Sequence, residues 1–220
     1  MSSLLSADQT VAAIETSGIV AVIRIADPER VPDVVAALVE ADIRTLEVTM
    51  TVPGAIDHIR RTAATLPAGF VLGAGTVVDA DTVHRAVDAG ASFIVSPVYR
   101  RSVVDAALER GVAIAPGCLT PTEILDAWDN GAQLVKVFPA TSVGPGYLKD
   151  LHGPMPQLKL VPTGGVTVDN AGDWIAAGAT AVGVGTSLLD KQAIAEGRFD
   201  VIVERGRRMA ANVRRARGQA

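Results

Sequence analysis

One cysteine, three histidines and four lysines in 220 residues leave little material for several kinds of chemistry. A lone Cys118 excludes an internal disulfide and a thiolate metal cluster. His58, His84 and His152 are scattered through segments that read as helical or helix-terminal, with surface positions expected, and none has metal-ligand spacing such as H-E-x-x-H. No metal and no cofactor is expected. The net charge is −4, which argues against nucleic acid as a partner. Arginines do crowd the C-terminus, from Arg205 to Arg217, and read as the solvated face of a last helix, with an oligomer contact as the lesser reading. No uncharged apolar run reaches the ~18 residues of a membrane helix. Met1 to Asp8 show no basic region followed by an apolar stretch, so no secretion signal is evident and a cytoplasmic location is expected.

What is present is a rhythm. The chain is 49% hydrophobic, enough for one sizeable core. After a short N-terminal helix over 1–17, apolar runs of strand length occur at 19–25, 43–49, 70–74, 93–97, 112–116, 134–138, 158–162 and 181–184. Segments with helical spacing lie between them. Asp27-Pro28 opens one, with the aspartate as cap and the proline at the first helical position; Val31, Val34, Val35 and Leu38 form its apolar stripe. Other helices start near Val52-Pro53, Asp79, Arg101, Thr120-Pro121, Gly144-Pro145 and Val168-Asp169. Gly90, Gly111, Gly131 and Gly178 mark helix ends before the next strand. Eight strand-then-helix units, with a final helix or helix pair over 188–217, predict a single-domain α/β (β/α)8 barrel over residues 1–220. A doubly wound open sheet is the alternative. The Gly-x-Gly-x-x-Gly turn that commonly follows its first strand is missing.

The stretch Leu134-Val135-Lys136-Val137-Phe138-Pro139 stands out. The two-residue period puts Val135 and Val137 on one face and Leu134, Lys136 and Phe138 on the other. Lysine is rarely buried without compensation. One explanation is a nucleophile, an amine desolvated so that its pKa falls and it attacks a carbonyl. The other is a lysine that snorkels to water or pairs with a carboxylate.

In a barrel of this kind the functional residues sit at the C-terminal ends of the strands. Strand one ends in Arg24, strand two carries Glu47, and strand three ends in Gly73-Ala74-Gly75-Thr76. Pro97 and Pro116-Gly117 follow strands four and five. The loops after strands seven and eight are glycine-rich, Thr163-Gly164-Gly165 and Gly183-Val184-Gly185-Thr186-Ser187, a pattern suited to phosphate because glycine lets backbone N–H groups approach an anion. Tight turns without a ligand are the plainer account of the glycines, and a structural ion network is the plainer account of Arg24, Glu47 and Lys136.

Six segments in this order, Leu46-Glu47-Val48-Thr49, Gly73 to Val77, Ile94 to Pro97, Pro116-Gly117, Val135 to Ala140 and Pro162 to Val166, resemble the 2-keto-3-deoxy-6-phosphogluconate (KDPG) and 4-hydroxy-2-oxoglutarate (KHG) aldolases. The resemblance runs from about Ile19 to Leu189. It implies a class I, Schiff-base aldolase that yields pyruvate and glyceraldehyde 3-phosphate from a 2-keto acid, works without a cofactor and assembles as a homotrimer. By it, Lys136 matches the Schiff-base lysine and Glu47 the general acid/base. Thr76 matches a residue near the pyruvate carboxylate, Pro97 and Phe138 match pocket walls, and Thr163 matches a substrate hydrogen-bonding position. Gly164, Gly165, Gly185 and Thr186 match the phosphate loops. One departure concerns the substrate carboxylate. Many members bind it with an arginine where this chain has Thr51, which leaves Arg24 as the candidate anchor. Other expectations from the same residues are 2-keto-3-deoxy-6-phosphogalactonate as substrate, a different phosphate-binding barrel enzyme, and a non-catalytic barrel serving as an oligomeric scaffold.

Overall fold

The structure is a computed structural model that describes residues 5–219; residues 1–4 and 220, part of the expected N-terminal helix and domain, lie outside the described residues. Strands and helices alternate. After helix α1 (Ala7–Ser17) come strands β1 (Ile19–Ile23), β2 (Thr45–Thr49), β3 (Val71–Gly75), β4 (Phe93–Val95), β5 (Ala113–Ala115), β6 (Gly117–Cys118), β7 (Val135–Val137), β8 (Leu160–Pro162) and β9 (Val182–Val184). Helices α2 (Val31–Glu40), α3 (Ala55–Thr65), α4 (Ala80–Asp88), α5 (Arg101–Glu109), α6 (Pro121–Asp129), α7 (Gly146–His152) and α8 (Ala171–Ala176) connect them, and α9 (Lys191–Ala195) and α10 (Asp200–Ala216) close the chain.

All strand pairs are parallel. Six strands run in the order β5-β4-β3-β2-β1-β9, and three more in the order β6-β7-β8. The fold is thus a parallel-strand, TIM-like α/β architecture. It has nine strands among the described residues, where the sequence predicted eight. Pro116 is the reason: it has no N–H for the ladder and splits the fifth strand in two. β5 pairs with β4, while β6 pairs with β7 through Gly117 opposite Lys136. Bonds cross both seams. The Ile114 carbonyl of β5 accepts from the Leu134 N–H just before β7 at 3.4 Å, the Leu160 carbonyl accepts from the Thr180 N–H at 2.9 Å, and Thr163 bridges Gly183.

The strand period sorts the core into two layers. Ile19, Ala21, Ile23, Leu46, Val48, Val135 and Val137 face outward and pack with the helix stripes, among them Val31, Val34 and Leu38 of α2. Val20, Val71, Phe93, Val95, Leu134 and Val161 face inward and meet Val11 and Ile14 of α1, which covers the N-terminal ends of the strands. Each fully buried aliphatic side chain contributes about 1.5–3 kcal/mol. The helix signals also take their expected form. Asp27 caps a 3-10 turn over Pro28–Arg30 that leads into α2, Thr120 forms a capping box with Glu123, and the four helix-ending glycines carry positive φ. One expectation is corrected: His58 is buried, 8% exposed, because it shares the apolar stripe of α3 with Ala55, Ile59 and Thr62 at helical spacing.

Candidate active site

Lys136 sits in the middle of β7 and is 4% exposed. The alternation that sends Val135 and Val137 to the helices sends its side chain inward, beside Leu134, Ala115 and Val161. Those residues, rather than the two valines, surround the amine with apolar groups. Its Nζ lies 4.6 Å from the centroid of the Phe138 ring. Burial holds the Lys136 pKa below the ordinary lysine value of 10.5; the Arg24 charge acts in the same direction and the Glu47 charge opposes it.

Glu47 projects from β2 toward the same interior and is 3% exposed. Burial pushes its pKa above 4.5, against the attraction of Lys136 and Arg24. Glu47, Lys136 and Thr163 line a small internal cavity of about 20 Å³. Directly above, Lys136, Arg24, Phe138, Thr163, Gly164, Gly165, Gly185 and Thr186 surround a cavity of about 170 Å³. An amine and a carboxyl whose environments move their pKa values toward each other exchange protons more readily than the free groups do. A neutral amine there can also attack a carbonyl.

Arg24 follows β1 and is exposed to solvent. Its Nη2 donates to Thr76 Oγ1 at 3.5 Å, which ties Thr76 to the mouth. Thr76 has φ 60°, a left-handed conformation rarely adopted by a β-branched residue. Thr51 lies elsewhere, lining a separate cleft of about 480 Å³ with Met50, Thr82 and Arg85. Its hydroxyl is also committed. Thr49 Oγ1 donates to the Ile23 carbonyl at 3.1 Å, so in the 2.7 Å contact between Thr49 and Thr51 the proton belongs to Thr51. Thr51 therefore offers only an acceptor to a third group, which suits a carboxylate poorly. Arg24 and Lys136 are the two cations lining the 170 Å³ cavity.

The two glycine loops, after β8 and β9, form the stretch of wall between Lys136 on β7 and Arg24 after β1. Gly164 and Gly165 follow β8 with φ of 89° and 73°, conformations that glycine adopts without strain. Gly185 opens a turn whose carbonyl accepts from Leu188 and Leu189 N–H groups at 3.0 and 2.8 Å.

Pro97 lines neither cavity. It follows β4, and its carbonyl packs directly against the Cα of Gly117. Val22, Val166 and Leu189 line the larger cavity and were not singled out from sequence. The strand period could have found Val22; Leu189 carries no comparable signal. Among the described residues, no group of three or more His, Cys, Asp and Glu side chains is placed to hold a metal ion, and no helix is long and apolar enough to cross a membrane.

Residues 11–205 match the family model described as KDPG and KHG aldolase. A probable 2-dehydro-3-deoxy-6-phosphogalactonate aldolase of Rhizobium meliloti is 34% identical over 171 residues, 77% of this chain and 81% of its own. A 2-dehydro-3-deoxy-phosphogluconate aldolase of Pseudomonas aeruginosa is 36% identical over 162 residues, 73% of each chain. Among solved structures, the KDPG aldolase of Legionella pneumophila, captured with pyruvate as a covalent carbinolamine, superposes with a TM-score of 0.84 at 30% identity, covering 90% of this chain and 97% of that one. The chain belongs to the KDPG and KHG aldolase family, whose members are lyases.

Proposed function

We propose that this chain is a class I aldolase that cleaves 2-keto-3-deoxy-6-phosphogluconate to pyruvate and glyceraldehyde 3-phosphate, with 4-hydroxy-2-oxoglutarate as a further substrate. The observation that carries the proposal is the pairing of a buried Lys136 with a buried Glu47 beneath a cavity walled by two glycine loops. Lys136 Nζ attacks the C2 ketone, and loss of water gives an iminium. The iminium accepts the electron pair of the C3–C4 bond as that bond breaks. Glu47 takes the proton of the C4 hydroxyl, the aldehyde leaves, and Glu47 returns a proton to C3 of the enamine. Water then releases pyruvate and the free amine. Arg24, steadied by Thr76, pairs with the substrate carboxylate. Thr163 hydrogen-bonds the substrate, Phe138 bounds the pocket, and Gly164, Gly165, Gly185 and Thr186 receive the phosphate.

The same proposal includes closure of the two sheets into one (β/α)8 barrel domain, supported by the Thr163–Gly183 bridge and the bond from the Leu134 N–H to the Ile114 carbonyl of β5. It also includes the homotrimer that the family implies, to be measured by light scattering. The likeness to the Rhizobium meliloti relative supports a second reading, in which the substrate is 2-keto-3-deoxy-6-phosphogalactonate. Pyruvate release from the two phosphorylated sugar acids and from a non-phosphorylated 2-keto acid, measured side by side, decides. The proposal expects the highest kcat/KM for phosphogluconate-derived substrate. Preference for the galactonate epimer supports the second reading, and preference for the non-phosphorylated acid contradicts the phosphate assignment.

A further inference from the structure

Gly75 is the last residue of β3, opposite Thr49 in the regular parallel ladder with β2. Its backbone does not call for a glycine. It is not among the positive-φ glycines, it occupies a regular register position, and its carbonyl accepts from the Met50 N–H at 2.8 Å. Space calls for one. An alanine Cβ at this position would overlap Glu47 Oε1 and stand 2.5 Å from Cδ and 2.7 Å from Cγ, far inside the 3.5–4.0 Å at which carbon atoms pack. The carboxyl group of Glu47 thus lies directly on the Cα of Gly75. β2 holds that Cα in place, through the ladder with Thr49 and the bond from Met50. A side chain on residue 75 therefore meets the glutamate first, while the ladder with β2 holds the strand.

We propose that Gly75 is a positioning residue for Glu47: the missing side chain is the seat that holds the carboxyl group in the strand-two to strand-three groove, facing the small cavity it shares with Lys136. The effect on turnover rests on the reading of Glu47 as proton donor and acceptor; the steric claim does not. In an unstrained strand, glycine to alanine ordinarily stabilises a protein by restricting its unfolded chain. A loss of stability in Gly75→Ala that disappears when Glu47 is shortened therefore reports the clash directly.

The test is a cycle of Gly75→Ala, Glu47→Ala and the double variant, read by thermal denaturation, by kcat for sugar-acid cleavage, and by borohydride trapping of pyruvate on Lys136. Gly75→Ala should lower the melting temperature in the wild-type background and leave it level or higher in the Glu47→Ala background. It should reduce kcat by about 10²-fold or more while Lys136 is still trapped. Should Gly75→Ala fail to fold, recovery of folding in the double variant supports the proposal, and failure of the double variant contradicts it. Equal destabilisation in both backgrounds, or a kcat within about threefold of wild type, overturns it. Undiminished turnover in Glu47→Gln would instead remove the acid/base role, leaving the melting-temperature cycle to judge the seat alone.

Discussion

Lys136 and Lys159 belong to neighbouring strand segments and illustrate two fates of one residue type. Lys159 immediately precedes β8, on the side covered by α1, and is roughly 39% exposed with its Nζ 2.7 Å from Glu15. Lys136 lies one step further along the sheet, in register with Val161, and is buried over the Phe138 ring. The first amine has water and a carboxylate to hold its charge. The second has its charge opposed by burial and by Arg24. The N-terminal side of the fold is accordingly a place for apolar cover and surface pairs, and the C-terminal side a place for groups kept away from their preferred ionisation.

This contrast can be broken in a graded series. Lys136→Met removes the proposed nucleophile and should bring cleavage to the uncatalysed level, measured by pyruvate release. Glu47→Gln should cost about 10²–10⁴-fold in kcat while the protein still forms an adduct with pyruvate. Arg24→Gln should lower kcat/KM by roughly 10–100-fold, mainly through KM, as loss of a charge-assisted bond to the carboxylate. The pH profile sharpens the point, because the acid limb of kcat/KM reports the base in the free enzyme. Arg24 lowers the Lys136 pKa and Glu47 raises it. The limb should therefore move up in Arg24→Gln, toward the ordinary lysine range, and down in Glu47→Gln. Shifts of the same sign in both variants would contradict the electrostatic account.

The covered side should respond in stability alone. Arg217 donates to the carbonyls of Thr16 and Thr180 at 3.0 and 2.9 Å, tying the end of α10 to the end of α1 and to the approach of β9. Arg217→Ala should lower stability by roughly 1–2 kcal/mol in a denaturant titration, with kcat unchanged. Lys159→Met should do least, at most about 1 kcal/mol, as expected of a half-exposed pair, with unchanged kinetics.

Much of this arrangement is legible in the chain because it follows from a period. The strand positions, the caps at Asp79 and Thr120 and the inward face shared by Glu47 and Thr45 all follow from spacing. Lys136 was legible as anomalous for the same reason. What spacing could not supply is contact between elements. The break at Pro116 was visible only as a strand end, since pairing of Gly117 with Lys136 depends on how the sheet curls. His58 looked like a surface residue because two of its three stripe partners on α3, Ala55 and Thr62, are small or polar. Thr51 was legible as the place where an arginine is missing, but not that its hydroxyl is directed at Thr49. The glycine at position 75 read as part of a motif, and only the position of the Glu47 carboxyl shows what it leaves room for.

The central claim is that Lys136 is the nucleophile. Reduction with borohydride in the presence of pyruvate, followed by peptide mapping, tests it directly. The account predicts one stable adduct, on Lys136, absent from Lys136→Met and retained in Lys159→Met; an adduct on any other lysine, or none on the wild-type protein, contradicts it.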